Sequence, residues 1–128
     1  MLFYRGHGRA RAVLAMAALA GAGMWLAAAS GAQEGGLREF TLQARKYTFT
    51  PNTIEVQQDD LVRITLHAED IAHSFTVDDY RIAKRAGPGQ TVTFEFRADR
   101  PGTFPFYCNL KTDEGCRAMR GRLIVRPR

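Results

Sequence analysis

The chain has 128 residues and a hydrophobic content of 45%, which is ordinary for a folded protein and predicts one domain. These values exclude a large multidomain enzyme and an intrinsically disordered chain. The formal charge of +5 owes much to three arginines among the first dozen residues, because from Gln33 onward 15 basic residues stand against 13 acidic ones. No basic cluster interleaved with aromatic residues remains in that part, so the sequence does not favour nucleic-acid binding.

The first 32 residues are typical of a secretory signal peptide. A positively charged start precedes an apolar run rich in Ala and Gly, and small residues lead up to a cleavage position after Ala32. Cleavage would leave residues 33–36 as a short linker and residues 37–128 as the folded domain. An uncleaved membrane anchor is the alternative, since about 18 apolar residues just span a bilayer. Both alternatives predict a periplasmic or secreted domain, held at the membrane only if the leader is retained.

Short strands separated by turn residues follow the leader. Apolar and polar residues alternate most clearly in 61–68 and 91–97. Pro, Gly and Asp residues between such runs are typical of tight turns. Seven or eight strands at this spacing predict an all-β protein, a Greek-key β-sandwich. The weaker strands are predicted at Glu39–Ala44, Tyr47–Thr50, Thr53–Val56, His73–Val77, Thr103–Tyr107 and Gly121–Val125.

Nitrogen and sulfur side chains occur at three points of the predicted sandwich. His73 begins a strand after a polar turn, Cys108 ends an aromatic strand, and Cys116 and Met119 precede the last strand. The loop after Cys108 is able to bring the sulfur atoms together while a neighbouring strand supplies the histidine. One imidazole, two thiolates and a thioether form a soft ligand set, which favours copper or zinc over magnesium or calcium.

These pieces together resemble the cupredoxin family, and most closely the copper-binding domain of cytochrome c oxidase subunit II and its small exported relatives. The resemblance extends over most of the chain after the leader. It implies a cupredoxin-like sandwich, copper as the cofactor, and a redox protein as a candidate partner besides the copper ion. The motifs that carry it are Asp70–Phe75, Pro88–Gly89, Pro101–Cys108 and Met119–Gly121.

The resemblance assigns the ligand positions of that oxidase domain to this chain residue by residue. The first histidine falls on His73, the first bridging cysteine on Cys108, and the methionine on Met119. A second bridging cysteine is expected where this chain has Thr112, and a second histidine where it has Cys116. An ordinary binuclear centre is therefore not expected, and an ordinary blue copper site lacks its second histidine.

Three interpretations of the two cysteines stay open. In the first, His73, Cys108, Cys116 and Met119 bind one copper, which such soft ligands favour as Cu(I). In the second, the cysteines form a disulfide, which an oxidising compartment permits and which would stabilise the domain by roughly 2–3 kcal/mol. In the third, the pair alternates between these two states. His67 is not expected to bind the metal, because it lies on the polar face of its strand.

The leading functional hypothesis is an exported copper-binding protein that acts in electron transfer or copper handling. A periplasmic copper chaperone would use the same residues, whereas a metal-free sandwich with a Cys108–Cys116 disulfide would be an interaction module. The structural alternatives for single residues are a hydrogen bond of His73 with nearby Asp70 and core packing of Met119. No catalytic triad, phosphate-binding loop or haem-attachment motif occurs, so we expect no enzymatic activity from the chain itself.

Two polar segments are expected at the surface. The basic residues Arg81, Lys84 and Arg85 indicate a solvated edge, and docking of an acidic redox partner is the alternative. The loop segment 111–114 is polar and is expected to be exposed beside the site.

Overall fold

The computed structural model describes residues 35–128, and they form two β-sheets packed face to face. The predicted leader, residues 1–32, lies outside the described residues, as do the first two residues of the predicted linker. Across the described part of the chain, no helix is long and apolar enough to cross a membrane. The strands are β1 Leu37–Arg45, β2 Thr48–Thr50, β3 Thr53–Gln57, β4 Leu61–Ala68, β5 His73–Val77, β6 Ile82–Ala86, β7 Thr91–Arg97, β8 Gly102–Tyr107 and β9 Arg120–Arg126, with a 3-10 turn at Asp78–Tyr80 and a short helix, α1, at Glu114–Ala118.

The predicted β-sandwich is confirmed. Sheet A has the strand order β2-β1-β4-β7, and sheet B has the order β3-β9-β8-β5-β6. The chain passes repeatedly from one sheet to the other, so strands adjacent in sequence are often separated in space. The pairs β1–β4 and β3–β9 are parallel, and the remaining pairs are antiparallel. In sheet B, β8 therefore lies between β5 and β9 and runs antiparallel to both.

The strand pattern of the sequence explains which faces are buried. Along β4, alternate side chains are fully buried in the sandwich, and those between them are half-exposed on the outer face of sheet A. An aromatic cluster joins the sheets, because the Phe106 ring from sheet B lies 5.2 Å from Phe49 of sheet A and 4.8 Å from Phe75. Close packing of this kind supplies most of the stabilisation of a small sandwich.

Every strand predicted from the sequence is present, with bounds within two residues of those expected. The strand β6 and the helix α1 were not predicted. The β6 sequence carries Lys84 and Arg85 where alternation would require an apolar residue, and such charges suit an edge strand because they discourage pairing with another chain. Lys84 and Arg85 are thus exposed on an edge strand, in agreement with the expected solvated edge, while docking of a partner there stays an untested alternative.

The segment just before β1 is already bound to the domain. The backbone N–H of Leu61 donates to the carbonyl of Gly36 at 3.0 Å, which extends the pairing of β1 with β4. At Gly35, a Cβ atom would overlap the backbone of Asp59 and Asp60, so only glycine permits this approach. The last two residues of the predicted linker therefore lie against the sandwich.

We expect Phe106→Ala to lower the free energy of unfolding by about 3–5 kcal/mol, because it leaves a cavity between the two sheets. Phe104→Ala, on the same strand but half-exposed, is the matched control and should lower it by less than half as much. Urea unfolding followed by circular dichroism measures both values. Equal losses in the two variants would contradict the core described here.

Candidate metal site

The four predicted site residues lie at one end of sheet B. His73 is the first residue of β5, Cys108 follows the last residue of β8, and Met119 precedes β9. Because β8 runs antiparallel to both neighbours, these three strand ends meet at the same edge of the sheet. Cys116, in α1, completes the group, and all four side chains are fully buried.

The two cysteines form a disulfide in this structure. Cys108 and Cys116 have their Cα atoms 5.2 Å apart, and neither is a free thiol. This disulfide is the arrangement expected if the cysteines have a structural role. It is also the oxidised form expected if they alternate between a disulfide and a metal site. The first interpretation needs two thiolates, so it does not describe this state of the protein. In the described residues 35–128, no three His, Cys, Asp or Glu side chains are grouped to hold a metal ion.

The helix that carries Cys116 is short, and its first turn is held by side chains. Asp113 caps it, since the carboxylate accepts a hydrogen bond from the N–H of Gly115 at 2.9 Å. The hydroxyl of Tyr47 donates to the same carboxylate at 3.3 Å, and its ring lies where a Cβ of Gly115 would be. The loop from sheet A thus fixes the helix and, with it, the position of Cys116.

One ring nitrogen of His73 forms a hydrogen bond and the other has no hydrogen-bond partner among the described residues. Its Nε2 lies 2.7 Å from Oδ1 of Asp70, so the expected hydrogen bond with Asp70 is present. Its Nδ1 is buried and has no hydrogen-bond partner among the described residues. Histidines that bind metals commonly give their second nitrogen to a carboxylate in this way. Of the two ring nitrogens, the buried Nδ1 is therefore the one that could hold a metal ion.

Asp70 is held as a carboxylate. Burial acts to raise the pKa of Asp70, but hydrogen bonds from the backbone N–H of Lys46, the His73 ring and the N–H of Ile71 outweigh it and hold the pKa far below its usual range. An ionised carboxylate only accepts hydrogen bonds, so the proton of a neutral His73 ring lies on Nε2. Its Nδ1 then carries a lone pair, the form that binds a metal.

Two further residues join β5 to the end of β8. The N–H of Ser74 lies 3.4 Å from Sγ of Cys108, and its hydroxyl donates to Oδ1 of Asn109 at 2.7 Å. The N–H of Asn109 donates back to that hydroxyl at 2.8 Å. Sequence reasoning missed both residues. The position of Ser74 inside the buried strand β5 could have indicated this contact, because a buried hydroxyl requires a hydrogen-bond partner.

Two other positions lie outside this group. His67 is on the outer face of sheet A, where its Nδ1 lies 2.7 Å from the hydroxyl of Thr91. Thr112, where the oxidase domain has its second bridging cysteine, is exposed in the loop before α1. Neither side chain belongs to the buried group of His73, Cys108 and Cys116.

The chain belongs to the cupredoxin-like domain family, whose sequence profile matches residues 15–125. It is 33% identical over 76 residues to nitrous-oxide reductase of Stutzerimonas stutzeri, a match that covers 56% of this chain and 12% of that protein. It is 38% identical over 64 residues to cytochrome c oxidase subunit 2 of Thermostichus vulcanus, covering 50% of this chain and 19% of that protein. The chain therefore spans less than a fifth of the length of either relative.

Solved structures agree on the fold. The metal-binding domain of the Cu(I)-exporting P-type ATPase CopA of Streptococcus pneumoniae, solved with Cu(I), superposes with a TM-score of 0.59 at 21% identity. The match covers 73% of this chain and 90% of that domain. The family match and the relatives confirm the resemblance to cupredoxins and to oxidase subunit II, and the Cu(I)-bound domain shares the fold.

We expect Asp70→Ala to lower the free energy of unfolding by about 1–3 kcal/mol, because three N–H donors lose their acceptor. Asp79→Ala, in an exposed turn, should change it by less than about 0.5 kcal/mol. Chemical unfolding measures both, and long-range ¹H–¹⁵N correlation spectra of the unmodified chain report the proton on the His73 ring. A proton on Nδ1 instead of Nε2 would contradict the assignment above.

Reducing the disulfide should lower the free energy of unfolding by about 2–3 kcal/mol, on a chain-entropy estimate for a loop of this length. Urea unfolding with and without a thiol reductant measures the difference, and Cys108→Ser/Cys116→Ser, already without the bond, should not respond to the reductant. Two reactive thiols in the unreduced, unfolded chain would show that the bond does not form.

Proposed function

We propose that the protein binds copper through His73, Cys108, Cys116 and Met119 when the two cysteines are reduced. In this role it serves electron transfer or copper handling outside the cytoplasm. The observation that carries the proposal is the buried Nδ1 of His73, which has no hydrogen-bond partner in the described chain and lies at the same end of sheet B as both cysteines.

The residues fit copper in the reduced state only. A thiol reductant would transfer two electrons and two protons to the disulfide, forming two thiols and becoming oxidised to its own disulfide. Cys108 and Cys116 then offer thiolates after losing their protons, Met119 a thioether, and His73 a lone pair on Nδ1. This set is soft and favours Cu(I) over harder ions. When bound, copper would supply a one-electron couple between Cu(I) and Cu(II).

The chain's own residues prepare the site for this exchange. Asp70 keeps the His73 ring in one orientation with its proton on Nε2. The N–H of Ser74 approaches Sγ of Cys108, where it would stabilise negative charge on the sulfur. A site held by two β-strands and a capped helix changes shape little, which suits an ion that changes oxidation state.

The similar proteins support copper binding and argue against an enzymatic role for this chain alone. Two are named as nitrous-oxide reductase and cytochrome c oxidase subunit 2, and a structural neighbour is solved with Cu(I). Because this chain matches less than a fifth of each enzyme, we propose a carrier or handler of copper and not an oxidase or reductase. Thr112 and Cys116 replace two ligands of the oxidase site, so the proposal is a single copper.

A second candidate is a metal-free interaction module. The disulfide observed between Cys108 and Cys116 favours it, because a bonded pair has no thiolate for a metal. A periplasmic or secreted location, with the leader removed or retained as an anchor, agrees with both candidates, since disulfides persist in oxidising compartments.

Native mass spectrometry of the full chain, with Cu(I) added under mild reduction, separates the two candidates. We expect one copper on the reduced chain and on His67→Ala, no retained copper on Cys108→Ser, and uptake weakened at least about tenfold in His73→Ala. A reduced, folded chain that takes up no copper would leave the metal-free module. Equal loss in His67→Ala and His73→Ala would show that the wrong histidine was chosen.

If copper is retained, its transfer to an acceptor apoprotein distinguishes a chaperone from an electron carrier. Rapid transfer of the ion to a copper-free acceptor indicates a chaperone. Retention of the ion through cycles of oxidation and reduction indicates a carrier.

A further inference from the structure

A depression of about 410 Å³ opens on the surface over Cys108. It is shallow and faces solvent, and three of the six residues that line it are exposed cations. No carboxylate side chain belongs to the lining. The lining residues are Tyr107, Cys108, Asn109, Lys111, Arg117 and Arg120.

The cations of this basic rim, Lys111, Arg117 and Arg120, are without an ion pair in the described chain, as are Lys84 and Arg85 on β6. Five arginines elsewhere have a carboxylate within 4.0 Å. In residues 35–128 the basic rim forms no such ion pair, although Glu114 precedes Arg117 by three residues and Asp113 is close in sequence. The Asp113 carboxylate is occupied by the helix cap and by Tyr47. The rim therefore presents positive charge that the described domain does not neutralise.

Arg120 is held in place without a carboxylate. Its guanidinium lies 5.7 Å from the centre of the Tyr107 ring, its cross-strand partner between β8 and β9. The Tyr107 hydroxyl in turn donates to Asp78 at 2.8 Å, which fixes the ring. A guanidinium that stacks on an aromatic ring keeps its N–H donors available for an external carboxylate.

We propose that this depression is the docking surface for an acidic segment of a partner protein, whose carboxylates pair with the basic rim directly over Cys108. A concave surface admits protruding side chains, whereas a flat membrane surface would meet a flat or convex basic face. The charge is present with or without copper. The reason for a partner to dock at Cys108 rests on the proposed function. That function requires a reductant, a copper acceptor or an electron acceptor to reach the sulfur.

The basic run on β6 provides a matched control. Lys84 and Arg85 are exposed like Lys111 and Arg117, and removing either pair changes the net charge equally. They lie on the outer edge of sheet B, where charge protects the strand from pairing. In the register of β5 and β6, Lys84 pairs with Phe75 and Arg85 with Ser74, and neither basic residue lines the depression over Cys108.

The test titrates the full chain, labelled with ¹⁵N, with a synthetic peptide of Glu and Asp residues separated by Gly at low ionic strength. We expect amide shifts concentrated between Tyr107 and Arg120. Peptide affinity should fall at least about fivefold in Lys111→Gln/Arg117→Gln and less than about twofold in Lys84→Gln/Arg85→Gln. Added salt should weaken binding to the unmodified chain.

Three results would overturn the proposal. Equal weakening in the two double variants would mean that net charge alone attracts the peptide, and amide shifts on β6 would place binding elsewhere. Tighter binding to vesicles containing phosphatidylglycerol than to the peptide, with the same dependence on Lys111 and Arg117, would identify a lipid surface. Copper uptake should be unchanged in Lys111→Gln/Arg117→Gln, so failed docking and failed copper binding are distinguishable.

Discussion

The position of β8 between β5 and β9 is the constraint on which the candidate metal site depends. Both pairings are antiparallel, so the start of β5, the end of β8 and the start of β9 must meet. Residues that are distant in sequence, such as His73 and Cys108, are thereby held at one edge of sheet B. The aromatic contacts of Phe106 behind this edge join it to Phe49 of sheet A and to Phe75 of β5.

The polar contacts at this edge of sheet B depend on one another. Backbone donors from the neighbouring turn keep Asp70 ionised, and the ionised Asp70 fixes the proton and orientation of the His73 ring. The partnerless Nδ1 is a consequence of that arrangement. An unpartnered buried nitrogen destabilises a fold by about 1–3 kcal/mol. In the described residues, Nδ1 of His73 and Oε1 of Gln43 are both buried without a hydrogen-bond partner, and the His73 nitrogen lies at the end of sheet B where the two cysteines lie.

The sequence predicted the sandwich and its strands because the alternation of apolar residues reports directly which side chains are buried. It also predicted that Cys108 and Cys116 approach each other, which the disulfide shows, whereas the joint binding of a metal by His73, Cys108, Cys116 and Met119 stays a prediction. The bonded state of the cysteines was not decided, because both metal and disulfide need the same short separation. Strand β6 was missed since an edge strand needs no alternation, and Ser74 because its partners are distant in sequence.

Under the proposed function, Cys116, which stands where the resemblance to the oxidase domain leads us to expect a histidine, links the two states of the site. A histidine at that position could bind a metal but could not bond to Cys108, so it would have no oxidised resting state. With cysteine there, the same two sulfur atoms are either joined to each other or available as thiolates, and the states exclude one another. In an oxidising compartment the disulfide is favoured, so copper binding would depend on a reductant reaching Cys108. A surface depression over that sulfur, with unneutralised cations around it, is where such a partner would have to approach.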